Sequence, residues 1–151
     1  MAHIGAKDQE HLRSTFANLD RKVKILLFSK KGSKLVVPGN EPCQYCDLTE
    51  EILKELVALT DNLELEVFTD REAPEFDTYD IDKVPAIVLV PEGEEASGLR
   101  FFGIPAGYEF GTLVEDIVDV SKGETSLSAQ TKQALTAIAD PVHIQVFVTP
   151  T

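Results

Sequence analysis

The chain has 151 residues, 43% of them hydrophobic and 26% charged, the balance of an ordinary globular domain. Fourteen Lys and Arg against 26 Asp and Glu give a formal net charge of -12, which repels phosphate backbones and anionic lipid head groups and argues against nucleic acid or a membrane surface as partner. No apolar run approaches the roughly 20 residues of a membrane span. The start "MAHIGAKDQEHL" lacks the basic and apolar blocks of a secretory signal, so the expected location is cytoplasmic.

Leu12, Phe16 and Leu19 form an apolar stripe at helical spacing and predict a first helix over residues 8–20. "VKILLFS", residues 23–29, is short and apolar between charged residues, which predicts a buried strand. Residues 30–42, rich in Gly and Pro, read as a loop in which "KLVV" makes a brief extended turn. Leu48, Ile52, Leu56 and Leu59, widened by Leu53, predict a helix from at or near Cys43 to about Thr60. "LELEVFT", residues 63–69, reads as a second strand, parallel to the first because a helical crossover joins them. Residues 71–82 suit a short helix or turn, "VPAIVLV" a third strand beginning beside Pro85, and "LRFFG" a fourth in an antiparallel hairpin with it. Phe110, Leu113, Val114, Ile117 and Val118 predict a closing helix. A βαβ half followed by a ββα half, with a cysteine pair after the first strand, is the thioredoxin-like plan: an α/β fold with a central mixed four-stranded sheet flanked by helices.

Residues 121–151 fall outside that unit. Ser128 is a candidate helix cap, a helical stretch runs to about Ala139, and an apolar strand follows the proline. "VKILLFS" at Val23 and "VHIQVFV" at Val142 share V-x-I-x-x-F, each after a helix, which predicts a duplication. The expected organisation is therefore a thioredoxin-like unit over 1–120 and the first helix and strand of a truncated second unit over 121–151. Such a strand needs an edge to pair with, and a second molecule in a homodimer is one source of it. A last strand that completes the first sheet is the other reading.

"EPCQYCDL" holds both cysteines, Cys43 and Cys46. At a helix start the unpaired N–H groups and the positive dipole end favour a thiolate, which makes Cys43 the candidate nucleophile. Cys46, three residues on, is placed to resolve a mixed disulfide. Glu41, Asp47, Glu50 and Glu51 oppose a nearby thiolate, and Lys30, Lys31 and Lys34 offset them if the loop folds over the site. Tyr45 either shapes the surface that partners approach or shields the helix start. A zinc or copper site is the competing reading, but His3, His11 and His143 stand at no finger-like spacing from the pair, so no metal and no cofactor are expected.

With "CQYC" at 43–46, "VPAIV" at 84–88, "RFFGIPAGYEF" at 100–110, "EDIVDVSKGET" at 115–125 and "VFVTPT" at 146–151, the chain resembles the glutaredoxin-like protein disulfide oxidoreductases, two-unit thioredoxin-fold proteins. The resemblance implies exchange with protein disulfides, Cys43 attacking and Cys46 resolving, with a thioredoxin-reductase-like flavoprotein as electron source. It also implies a cis Val84-Pro85 bond facing the cysteines, with the Val84 backbone open to a substrate segment. The family usually has a shorter loop before its cysteines and a second C-x-x-C unit beyond "VFVTPT", which places full isomerase activity in question. Two alternatives stay open: an electron relay to a peroxidase, and a substrate-binding or assembly module whose main redox site lies in a missing second unit.

Overall fold

The computed structural model describes residues 3–31, 42–96 and 98–149. Their elements run α1 (Ala6–Phe16), β1 (Val23–Phe28), α2 (Cys46–Val57), β2 (Leu63–Phe68), α3 (Pro74–Thr78), β3 (Ala86–Pro91), β4 (Arg100–Phe102), α4 (Tyr108–Lys122) and α5 (Ala129–Leu135). The four strands form one sheet in the order β2-β1-β3-β4. β1 pairs parallel with β2, Val23 opposite Leu63, and antiparallel with β3, Phe28 opposite Ala86; β4 pairs antiparallel with β3. This is the expected mixed thioredoxin-like sheet.

The strand period of two explains its two cores. Val23, Ile25 and Leu27 of β1 join Leu63, Ile87 and Leu89 on one face, where Phe16 of α1, Leu53 and Leu56 of α2, and Leu113 and Ile117 of α4 close over them. Leu26 and Phe28 point the other way, to Ala86, Val88, Phe76 and Ile81. Covered on both faces, β1 reads as a continuous apolar run from Ile25 to Phe28, and burying each such side chain contributes about 1.5–3 kcal/mol. Phe28 anchors the second core, stacked on Phe68 at 5.2 Å and edge-on to Phe76 at 4.9 Å. Five-residue α3 covers only one end of that face. At the other end Lys24 pairs with Glu66 at 3.4 Å, which is why β2 alternates as L-E-L-E.

α1 starts and ends earlier than its apolar stripe, and the chain continues in a turn to Leu19. α4 ends at Lys122, close to the expected boundary after residue 120, with Gly123 in the left-handed region at φ 66°. A Cβ there would stand 2.5 Å from Nη2 of Arg21. The same corner is tied by Ser121, fully buried: its hydroxyl accepts from the Arg21 amide at 3.0 Å and donates to the Arg21 carbonyl at 2.9 Å.

The C-terminal segment is only partly as expected. Ser128 caps α5, accepting from the Thr131 amide at 3.1 Å, but the helix stops at Leu135. The strand expected from Val142 does not form: residues 141–149 have no regular structure, and none of the described strands lies there. A strand is made by its ladder, and the segment makes none with β2 or β4, the outer strands of this sheet. The segment therefore does not complete the first sheet. The expected extended turn at "KLVV" lies outside the described residues. Among the described residues no helix is long and apolar enough to cross a membrane.

Candidate active site

Cys43 and Cys46 are joined in a disulfide, S–S 2.09 Å, with Cα atoms 5.5 Å apart. The helix begins at Cys46 rather than at Cys43. Tyr45 takes the cap position at φ -117°, and its carbonyl accepts from both the Thr49 amide at 2.9 Å and the buried Thr49 hydroxyl at 2.8 Å. No Ser, Thr, Asp or Asn stands where a side-chain cap would, so the backbone of Tyr45 makes the start. Cys46 is thereby fully buried in the first turn, while Cys43, outside the helix, is half-buried. The two sulfurs are chemically alike and positionally different.

The acidic residues around the pair are largely engaged. Glu50 pairs with Lys54 one turn on, and Glu51 Oε2 lies 2.9 Å from Nε2 of His3. Lys30 and Lys31 line a polar cleft of about 630 Å3 with Ser29, Asp47 and Glu50 beside the first turn of α2, and the rest of the loop expected to fold over the site lies outside the described residues. Lys34 and Glu41 lie outside the described residues. The N-terminal segment also clamps α2: the amides of His3 and Ile4 donate to the Glu55 carboxylate at 2.8–3.0 Å. Those two donors, Ile4 foremost, hold the Glu55 carboxyl below its ordinary range.

The Val84-Pro85 bond is cis. Pro85 is buried and Val84 half-buried, and the Pro85 carbonyl accepts from the Gly103 amide at 2.8 Å. Because Phe28 stands opposite Ala86, Pro85 lies at the sheet end where the chain leaves β1 for the cysteines. The register thus brings two distant motifs to one end of the fold. Around that end the sequence reading missed the exposed Phe102, with Lys83 Nζ 6.0 Å from its ring centroid, and the exposed Tyr108. The signal was the Phe101–Phe102 pair itself, since neighbours on a strand face opposite sides and α4 covers only one. Glu109, in the first turn of α4, holds its Oε2 buried with no hydrogen-bond partner among the described residues. His143 is exposed in the C-terminal segment, whereas His3 is held on α2.

A family described as thioredoxin domain matches residues 34–115, more than half of the chain. No curated protein matches it in sequence. Among solved structures, a protein disulfide oxidoreductase from Aeropyrum pernix K1 is similar at TM-score 0.81 and 26% identity, over 99% of this chain and 62% of that one. A mutant of the alkylhydroperoxide reductase component AhpF from Enterococcus faecalis V583 is similar at TM-score 0.75 and 25% identity, over 90% of this chain and 61% of that one. The NTD_N/C domain of AhpF from the same organism shares the fold at TM-score 0.74 and 24% identity, over 89% of this chain and 60% of that one. The chain thus spans about three fifths of the length of the structures it matches.

Proposed function

The chain belongs to the thioredoxin domain family, and from that premise we propose that it exchanges electrons with protein disulfides through the Cys43/Cys46 couple. The observation that carries the reading is the unequal exposure of the two sulfurs: Cys46 is fully buried in the first turn of α2, and Cys43 is accessible beside it. In the reducing direction the Cys43 thiolate attacks one sulfur of a substrate disulfide and expels the other as thiolate, leaving a mixed disulfide. The Cys46 thiolate then attacks Cys43 and expels the second substrate sulfur. The substrate gains two electrons and two protons, and the protein is left as the Cys43–Cys46 disulfide. Oxidation of substrate dithiols is the reverse.

In this proposal Tyr45, Val84 and Pro85 contact the substrate segment, with Phe102 beside them, and a thioredoxin-reductase-like flavoprotein renews the dithiol. The likeness to the alkylhydroperoxide reductase component AhpF supports a second reading, in which the couple relays electrons toward a peroxidase.

The test is trapping with a peptide that carries one internal disulfide. Reduced Cys46→Ser should accumulate a mixed disulfide through Cys43, and Cys43→Ser should accumulate none and lose turnover. A mixed disulfide that forms through Cys46 in the Cys43→Ser variant would sink the assignment of roles.

A further inference from the structure

A groove of about 740 Å3 lies between α1 with the residues before it, the first turns of α2, and α4. Its floor is apolar, made by Leu12, Ile52, Phe110, Val114 and Val118. On α4 the inner stripe of Leu113, Ile117 and Val120 enters the core, while Phe110, Val114 and Val118, four residues apart, form a second stripe that stays half-buried. One end of the groove is the Ile104–Gly107 loop, directly after the Gly103 that bonds Pro85. Groove and redox site therefore share a loop.

The groove also has a sign. Asp8, Glu115 and Asp119 line it, and no Lys or Arg does among the described residues. Its two histidines are His3, whose ring lies on Glu51, and His11. Next to Glu115 and outside the groove lining, the Asp116 carboxyl is held above its ordinary range, first by partial burial and then by the charges of Asp119 and Glu115.

We propose that this groove docks a cationic amphipathic helix of a partner protein and holds that partner beside the Cys43–Cys46 disulfide. The occupant is a helix because the long walls of the groove, α1 and α4, are helices whose backbone groups are already paired. An extended segment would find no edge for its own N–H and C=O groups, whereas a helix brings them satisfied. From Phe110 to Val118 the stripe is about 12 Å long, which suits two to three turns with apolar anchors at i, i+4 and i+7. Lys or Arg on one flank meets Asp8, and on the other Glu115 and Asp119. An anionic lipid surface is repelled by the same carboxylates and by the net charge of -12. The purpose of docking rests on the redox reading, but the binding does not.

The probe is a labelled helical peptide of Leu and Lys, about 18 residues or five turns long, with a Leu and Glu counterpart, titrated against the oxidised protein by fluorescence anisotropy. The Lys peptide should bind, and the Glu peptide should not. Glu115→Lys combined with Asp119→Lys should weaken the Lys peptide at least about tenfold, and Val114→Glu should abolish its binding, with circular dichroism unchanged in both. The proposal is overturned if neither peptide binds, if both bind alike, or if charge reversal leaves affinity unchanged. It is also overturned if the chain sediments as a dimer that Val114→Glu dissociates, since a second copy would then fill the groove. Alkylation of the same variants after reduction reports on the redox reading separately, because loss of docking alone leaves it intact.

Discussion

Residues Val23–Phe28 and Val142–Val148 carry nearly the same pattern and have opposite fates. In β1, Val23, Ile25, Leu27 and Phe28 are completely buried, with a partner strand on each side. In the C-terminal segment Val142, Ile144, Val146 and Phe147 are 64–89% exposed and belong to no strand. β-propensity describes what fits a pleated, half-buried surface, and the pairing partner decides whether that surface exists. β1 has one because α2 returns the chain to lay β2 alongside it.

The largest difference between the two regions should appear on truncation. Leu27→Ala should destabilise the protein by about 2–5 kcal/mol, and Phe147→Ala by no more than about 0.5 kcal/mol, both read by denaturant unfolding. A cost for Phe147 near that of Leu27 would mean that the segment is packed, and the comparison would fail. The two serines sharpen it next. Ser121→Ala should cost about 1–3 kcal/mol, because it strips the Arg21 amide and carbonyl of their buried partner. Ser128→Ala should lower helix content by a small amount, worth about 1 kcal/mol within α5, and leave the unfolding midpoint of the sheet unchanged.

These contrasts also show what was legible from the residues alone. The four strands and the closing helix follow from apolar periodicity, and the parallel β1–β2 pair from the helical crossover between them, whereas the β1–β3 pairing at the centre of the sheet is seen only in the structure. The start of α2 did not follow, since "EPCQYC" offers no side-chain cap and the Tyr45 backbone sets the first turn. The cis bond at Pro85 was reachable only through the family resemblance, because most X-Pro bonds are trans. The clamp of His3 and Ile4 on Glu51 and Glu55 joins residues about fifty positions apart, and no local pattern announces it. The segment from Val142 carries a strand's pattern without a ladder, and propensity alone does not name the edge it would pair with.

Two smaller effects concern charge within the folded body. Asp116 has its carboxyl raised by burial, Asp119 and Glu115, so its ionised form favours the unfolded chain. That penalty is fully present above its folded pKa and vanishes as pH falls below the ordinary carboxylate range. Asp116→Asn should therefore stabilise the protein by less than about 1 kcal/mol at neutral pH and have no effect in acid, read from melting curves at both. Glu55 has the opposite sign. Its depressed carboxyl supports the clamp above the ordinary carboxylate range and releases it as pH falls through the lowered value. Amide exchange at His3 and Ile4 should accelerate there before the sheet unfolds, and exchange at an unchanged rate would contradict the clamp.

The claim on which the functional account stands is that Cys43 and Cys46 form one reversible two-electron couple. The most direct test equilibrates the protein across a series of thiol–disulfide ratios, alkylates free thiols and weighs the intact chain, with and without a chelator. The account predicts that two alkyl groups appear together along a single curve that the chelator does not move. Thiols that stay blocked until metal is removed, or that alkylate one at a time, would contradict it.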